Sequence, residues 1–309
     1  IMTLLQLQYI VKIVECGSMN EASHALYISQ PALSSAVKEL EKEMGIEIFT
    51  RSSQGIALTV DGVEFLQYAR QILDQTELMK ERYKNTKPRK QLCQVSTQHY
   101  MFAVEAFVDM INASDSEEYE FSIRESRTRE IIESVANMRS EIGILYTSDF
   151  NRNVINKLLR EKHLEFHPLF TAGLHVFISR ENPLASRKKL TMDDLKPYPF
   201  IQFEQGEEGS FYFAEEARWP EYASKQINVT DRATILNFIV GLNGYTISSG
   251  IDNEDLNTEK IVTIPLDCDD RMLVGWITNE RARLSHAANN YVEKLKEVIY
   301  RHGYETIED

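Results

Sequence analysis

The sequence predicts an all-α head with a small β wing, a long helix behind it, and an α/β body of two lobes. Three observations carry this. Residues 4 to 44 hold three stretches of helical apolar spacing, separated by Gly17 and by a polar turn before Ser29. Residues 60 to 83 continue helical, with an apolar seam spaced by threes and fours. From residue 92 onward, short apolar runs of strand character alternate with helical ones, which indicates a mostly parallel sheet.

In the head, Leu4, Leu7, Ile10, Val11 and Val14 form the stripe of a first helix over residues 4 to 16, and Gly17 stops it. Ser18 or Asn20 caps a short second helix, where Ala22 and Ala25 let a neighbouring helix approach and Leu26 closes the apolar face. Ser29 then stands where an N-cap belongs. Pro31 sits in the first turn of a third helix, where its missing N–H costs nothing, and this helix runs to about Met44 before Gly45. Leu33, Val37, Leu40 and Met44 share its core face, with Gln30, Ser34, Ser35 and Lys38 on the opposite face. Two short helices joined by a tight turn describe a helix-turn-helix whose second helix enters the DNA major groove. Gln pairs with adenine, Ser reads donor or acceptor edges, and Lys reaches guanine or phosphate. Residues 49 to 58 read as a hairpin around a glycine-bearing polar tip, with Arg51 and Gln54 near the duplex backbone. The head is therefore a winged helix-turn-helix whose candidate DNA-binding residues are Ser29, Gln30, Pro31, Ser34, Ser35, Lys38, Arg51 and Gln54.

Thr59 caps the long helix, whose seam comprises Val63, Leu66, Ala69, Ile72, Leu73, Thr76, Met79 and Tyr83. That seam is too long to be buried by the small head, and the same helix of a second subunit is the simplest partner. Residues 85 to 91 form a polar, basic, proline-interrupted hinge. In the body, strands are expected near 92–96, 119–123, 142–146, 164–170, 175–179, 199–203, 227–230, 245–248 and 271–278. Helices are expected near 99–111, 128–138, 192–195, 210–216, 232–240 and 285–300.

Net charge is −13, which at first argues against a DNA partner. Residues 1 to 90, however, carry 11 Lys+Arg and 11 Asp+Glu, leaving 23 basic against 36 acidic residues beyond them. The head is neutral and the body acidic, so binding must rest on helix N-termini, polar phosphate contacts and the use of two copies. The first residues lack the basic and apolar regions of a signal peptide, and no window reaches membrane-spanning length, so a cytoplasmic protein without membrane contact is expected. Cys16, Cys93 and Cys268 are dispersed and odd in number, which predicts reduced thiols. The seven histidines make no metal-binding spacing, and no nucleophile elbow, phosphate loop or paired catalytic carboxylates appear, so neither metal, cofactor nor enzymatic activity is expected.

Leu7, Ala22, Ala25, Leu26, Ser29-Gln30-Pro31, Ser34, Leu40-Glu41, Gly45, Phe49, Arg51, Gly55, Leu58-Thr59 and Gly62 stand in the register of the N-terminal domain of LysR-type transcriptional regulators. Residues 2 to 84 resemble that domain, and the order of elements beyond them resembles the rest of the family. Within it, the chain looks closest to regulators of streptococci and related Gram-positive cocci that govern methionine and sulphur amino-acid uptake and cell-surface traits.

The resemblance implies a DNA-binding domain at 1–59, a dimer-forming linker helix at 60–84, and a two-lobe, periplasmic-binding-protein-like effector domain. Its first lobe would comprise 92–163 with 269–309, and its second 164–268. It further implies a dimer or tetramer on a pseudo-palindromic promoter site in double-stranded DNA, contact with RNA polymerase, and a small-molecule co-inducer such as a sulphur-containing amino acid or precursor. Ligands in open α/β sheets bind beyond strand C-termini, facing helix N-termini. This rule selects Thr97, Gln98, Thr128 and Tyr146 in the first lobe and Gln202, Phe203, Gly244 and Thr246 in the second. Thr97, Gln98 and Thr128 would take a carboxylate, while Arg127 reads as a surface or capping residue, with Thr128 better placed as the cap. Two alternatives are a solute-binding protein, from residues 91 to 309 alone, and an enzyme with an accessory DNA-binding domain; the head opposes the first and the missing catalytic constellation the second.

Overall fold

Thr3 opens helix α1 (Leu4–Cys16) with a capping box completed by Gln6, and Gly17 closes it in the left-handed conformation at φ 69°. Ser18 caps α2 (Met19–Ala25) and Ser29 caps α3 (Gln30–Met44). Strands β1 (Phe49–Ser52) and β2 (Gly55–Leu58) pair antiparallel as the wing, followed by α4 (Val60–Lys84). The computed structural model describes residues 1–52, 55–84, 91–116, 118–206, 211–218, 224–251 and 260–307. Gln54, the Arg51 side chain and nearly all of the hinge lie outside them. The chain divides into two units, Ile1–Arg89 and Lys90–Asp309.

The head's core joins Ile10, Ile13, Ala22, Leu33, Val37, Leu40, Ile48 and Leu66. Burying a leucine such as Leu33 or Leu40 is worth roughly 1.5–3 kcal/mol, so the apolar face of α3 holds its polar face outward. Met44, expected in this core, is 38% exposed at the last residue of α3, and Ala25 is exposed as well. A buffer between helix and wing comes from Glu41, whose Oε1 accepts the N–H groups of Ile48 at 2.7 Å and Phe49 at 3.2 Å. Along α4, Leu66 and Ala69 are buried within the head, while Val63, Tyr68, Ile72, Leu78, Met79 and Tyr83 remain exposed.

The body's first sheet has the order β4-β3-β5-β12-β6. It comprises β3 (Gln91–Thr97), β4 (Tyr119–Glu125), β5 (Ile142–Thr147), β6 (Leu164–Gly173) and β12 (Arg271–Asn279). The second has the order β11-β7-β10-β8-β9 and comprises β7 (His175–Ser179), β8 (Phe200–Phe203), β9 (Gln226–Val229), β10 (Tyr245–Ser248) and β11 (Ile261–Pro265). Helices α5 (Met101–Asn112), α6 (Thr128–Ala136), α7 (Arg152–Glu161), α8 (Met192–Leu195), α9 (Arg232–Leu242) and α10 (His286–Arg301) connect and cover them.

The structure departs from expectation at five points. The boundary at 164 is too early: β6 pairs with β12 from Leu164↔Asn279 to Gly173↔Arg271, so residues 164–173 belong to the first lobe's sheet and the chain crosses at Leu174. The expected helix at 210–216 reduces, among the described residues, to a 3-10 turn at Phe211–Phe213. Helix α7 was not expected, although Val154, Ile155, Leu158 and Leu159 give it an apolar face at helical spacing; β11 was not expected either. Arg127, not Thr128, is the N-cap of α6.

Candidate functional site

Two surfaces carry the candidate chemistry. On the head, the Ser29 side chain accepts the Ala32 N–H at 3.4 Å, and Pro31 follows in the first turn. With Leu33, Val37 and Leu40 buried, Gln30 and Ser34 are half-buried and Pro31, Ser35 and Lys38 exposed. Ser35 Oγ donates to Glu39 Oε1 at 3.3 Å one turn further on. The first three turns of α3 therefore present hydroxyl, amide and ammonium groups together on one accessible face, as base-edge readout requires.

In the body, the predicted residues of the first lobe come together where β3, β4 and β5 end. Gln98 Nε2 donates to Thr128 Oγ1 at 2.6 Å, and Gln98 Oε1 accepts the Tyr146 N–H at 3.0 Å and the Tyr100 hydroxyl at 3.1 Å. Thr97 Oγ1 donates to the Gln98 carbonyl at 2.7 Å. All four of Thr97, Gln98, Thr128 and Tyr146 are at most 2% exposed.

Much of this network ends on the second lobe. Thr128 Oγ1 donates to the Phe213 carbonyl at 2.7 Å, and the Thr128 N–H donates to Gln205 Oε1 at 3.2 Å. Tyr146 donates its hydroxyl to the Ala214 carbonyl at 2.9 Å. Gln205 and Phe213 thus take up donors that a ligand carboxylate would use at the start of α6. Ion pairs Arg127–Glu204 and Arg232–Glu125 also link the lobes.

Beside this network lies a narrow pocket of about 60 Å³ between the start of α5 and the second lobe. Phe203 and Thr246 line it, as does His99, whose ring stacks on Phe203 with centroids 3.8 Å apart. Gln202 and Gly244 are not part of it: Gln202 donates to Asn228 Oδ1 at 2.9 Å, and a Cβ on Gly244 would lie 2.5 Å from Ile201 Cδ1. Gly244 is a packing position.

The pocket's polar end consists of groups that sequence reasoning missed. His99 Nδ1 lies 2.9 Å from Glu215 Oε2, which also accepts the His99 N–H at 3.0 Å. Burial pulls the imidazole's pKa down, but the hydrogen bond and charge of Glu215, with Glu125 beyond it, outweigh burial and raise it. Glu125 is raised by burial against the opposing charge of Arg232. Glu216 is 2% exposed; its Oε1 accepts the Phe203 N–H at 3.0 Å, and its Oε2 has no hydrogen-bond partner among the described residues. Burial, with Glu215 adjacent, pushes this carboxyl up to about 8, which favours its neutral form near pH 7. The available signal was the pair Glu215-Glu216 set among aromatic residues.

Comparison with known proteins supplies an independent line. A family model described as a bacterial regulatory helix-turn-helix protein of the lysR family matches residues 4–63, and one described as a LysR substrate binding domain matches residues 116–299. The Hca operon transcriptional activator HcaR of Escherichia coli K12 is 26% identical over 271 residues, covering 86% of this chain and 87% of HcaR. YvbU of Bacillus subtilis 168, described as an uncharacterized HTH-type transcriptional regulator, is 27% identical over 214 residues, covering 68% of this chain and 69% of its own length. Among solved structures, an OxyR variant from Corynebacterium glutamicum superposes with a TM-score of 0.54 at 17% identity, covering 97% of this chain and 94% of that one, a likeness of fold.

Proposed function

From the premise that the chain belongs to the LysR family of DNA-binding transcriptional regulators, with a helix-turn-helix head and an effector-binding body, we propose that it reads a pseudo-palindromic operator as a dimer joined through α4. The observation that carries this is the division of α3 into a buried apolar face and an accessible face bearing Gln30, Ser34, Ser35 and Lys38. In this reading those residues contact base edges, Ser29 and Pro31 set the helix start, and Arg51 and Gln54 contact the backbone. The exposed stripe of Ile72, Met79 and Tyr83 on α4 supports pairing with a second copy, since such an apolar row is costly to leave in water. Two heads at a fixed separation multiply the weak grip of a neutral domain.

The body senses a small molecule at the interlobe cleft, and closure around it shifts the operator-bound state. Pairing of effector domains into a tetramer and contact with RNA polymerase complete the proposal. The family resemblance suggests a sulphur-containing amino acid or its precursor as effector. Footprinting of the full chain on its own promoter DNA tests the reading. Two protected half-sites and a dimer or larger assembly in solution are expected; a monomer with no preference over random competitor DNA overturns it.

A further inference from the structure

The ionisable side chains around the cleft pocket are matched in pairs except for one. His99 is bound to Glu215, and Arg232 to Glu125. The two nearby phenol hydroxyls are also engaged, Tyr100 donating to Gln98 and Tyr146 to Ala214. Glu216 remains: it lines the pocket, is 2% exposed, and its Oε2 is unpartnered among the described residues. A buried polar atom left this way costs free energy that a matching hydrogen-bonding group recovers. One wall of the pocket is apolar, with Met101, Phe177, Ile235, Ile239 and Ile251, while Thr246, Ser248 and Ser249 add hydroxyls to another part of its lining.

We propose that this pocket binds a primary ammonium group carrying a slender apolar tail, with the ammonium on Glu216 Oε2 and the tail against the isoleucines and Phe177. The assignment rests on the effector-sensing reading above and names its ligand class. The opposite polarity is disfavoured by the same geometry. Donors of the α6 N-terminus that would attract a carboxylate are already taken up by Phe213 and Gln205, and an anion would lie beside Glu215 and be repelled by Glu216 once that acid is ionised. Binding is coupled to a proton: the neutral Glu216 acid releases its proton to solvent, and the resulting carboxylate holds the ammonium. Affinity therefore rises with pH until Glu216 is ionised without ligand.

Calorimetric titration of the full chain with n-pentylamine, pentanoate and 1-pentanol tests the assignment. Pentylamine is expected to bind at least tenfold more tightly than the acid or the alcohol, and more tightly at pH 8 than at pH 6.5. Replacing Glu216 by Gln (Glu216→Gln), which retains shape, should remove that tenfold preference. Pentanoate binding as tightly as pentylamine overturns the assignment without any variant, and so does an unchanged preference in Glu216→Gln. Operator binding on the same preparations separates the two readings. Intact operator binding without amine preference overturns this assignment alone, whereas amine preference without operator binding supports it and overturns the regulator.

Discussion

Gln98 donates its side-chain amide to the Thr128 hydroxyl across 2.6 Å, and neither residue is more than 1% exposed. The same hydroxyl donates to the Phe213 carbonyl, so one oxygen links the start of α6, the end of β3 and a segment of the second lobe. Valine at 128 has nearly the same shape but leaves an amide donor and a carbonyl acceptor unmatched in a dry site. Unsatisfied buried groups cost about 1–3 kcal/mol each, so Thr128→Val should destabilise the body by about 2–4 kcal/mol. Thr128→Ser, which keeps the hydroxyl, should cost much less. Urea unfolding of the full chain distinguishes them, and equal midpoints for the two variants would show that the bridge contributes little.

Stability should also fall as pH rises from 6.5 to 8.5. Glu216 goes from an ordinary carboxyl value of 4.5 in the unfolded chain to about 8 when buried, so its contribution is full below the unfolded value and is lost as pH climbs through the folded one. His99 is raised above 6.5 and acts in the same sense. His175, lowered by burial, acts in the opposite sense, its contribution being lost as pH falls below 6.5, outside this window. Melting temperatures across the window should decline in the parent chain and decline less in Glu216→Gln. Parallel pH profiles for the two would remove Glu216 as the cause.

What was legible in the sequence follows from the range of the forces involved. Ser29, Pro31 and Gly45 delimit α3 through local backbone chemistry, and Leu33, Val37 and Leu40 orient it through helical spacing, so both its ends and its polar face could be read. Gln98 and Thr128 were found by the rule that strand ends face helix starts, but their partners could not be: Phe213 is 85 residues from Thr128 in sequence. The lobe boundary failed for a similar reason. Residues 164–173 have strand character in either lobe, and their pairing with β12 is a choice made over more than 90 residues of chain. Glu216 was missed because a pair of acids in sequence reads as solvated surface, and the aromatic residues flanking it were the one local sign of burial.

At the head, Gln30→Ala should weaken binding to the cognate operator by about 1–3 kcal/mol and relax preference at the base pair it contacts, since a bidentate amide contact discriminates by that amount. Ser34→Ala should act in the same direction. Both side chains are accessible enough that folding is unaffected. Binding selection against a randomised half-site reads the outcome, and an unchanged base preference in both variants would move the reading residues elsewhere on α3.

Two glycine replacements should have opposite signs although both glycines lie within helices. Alanine is favoured over glycine in a helix interior by about 1 kcal/mol. At Gly241, in α9, an added Cβ meets nothing within 4 Å, so Gly241→Ala should gain up to that amount. At Gly62, in the first turn of α4, the Cβ would lie 2.1 Å from the Ile48 carbonyl oxygen. That oxygen is backbone and accepts the Thr59 N–H at 3.0 Å, so it cannot rotate aside as a side chain would. Relief requires α4 to move away from the residues leading into the wing, and overpacking of this kind costs roughly 1–3 kcal/mol or more, which exceeds the helical gain. Gly62→Ala should therefore lower the melting temperature of the full chain's head transition and weaken operator binding, while Gly241→Ala raises or preserves stability. Equal gains at both positions would mean that α4 is free to shift against Ile48.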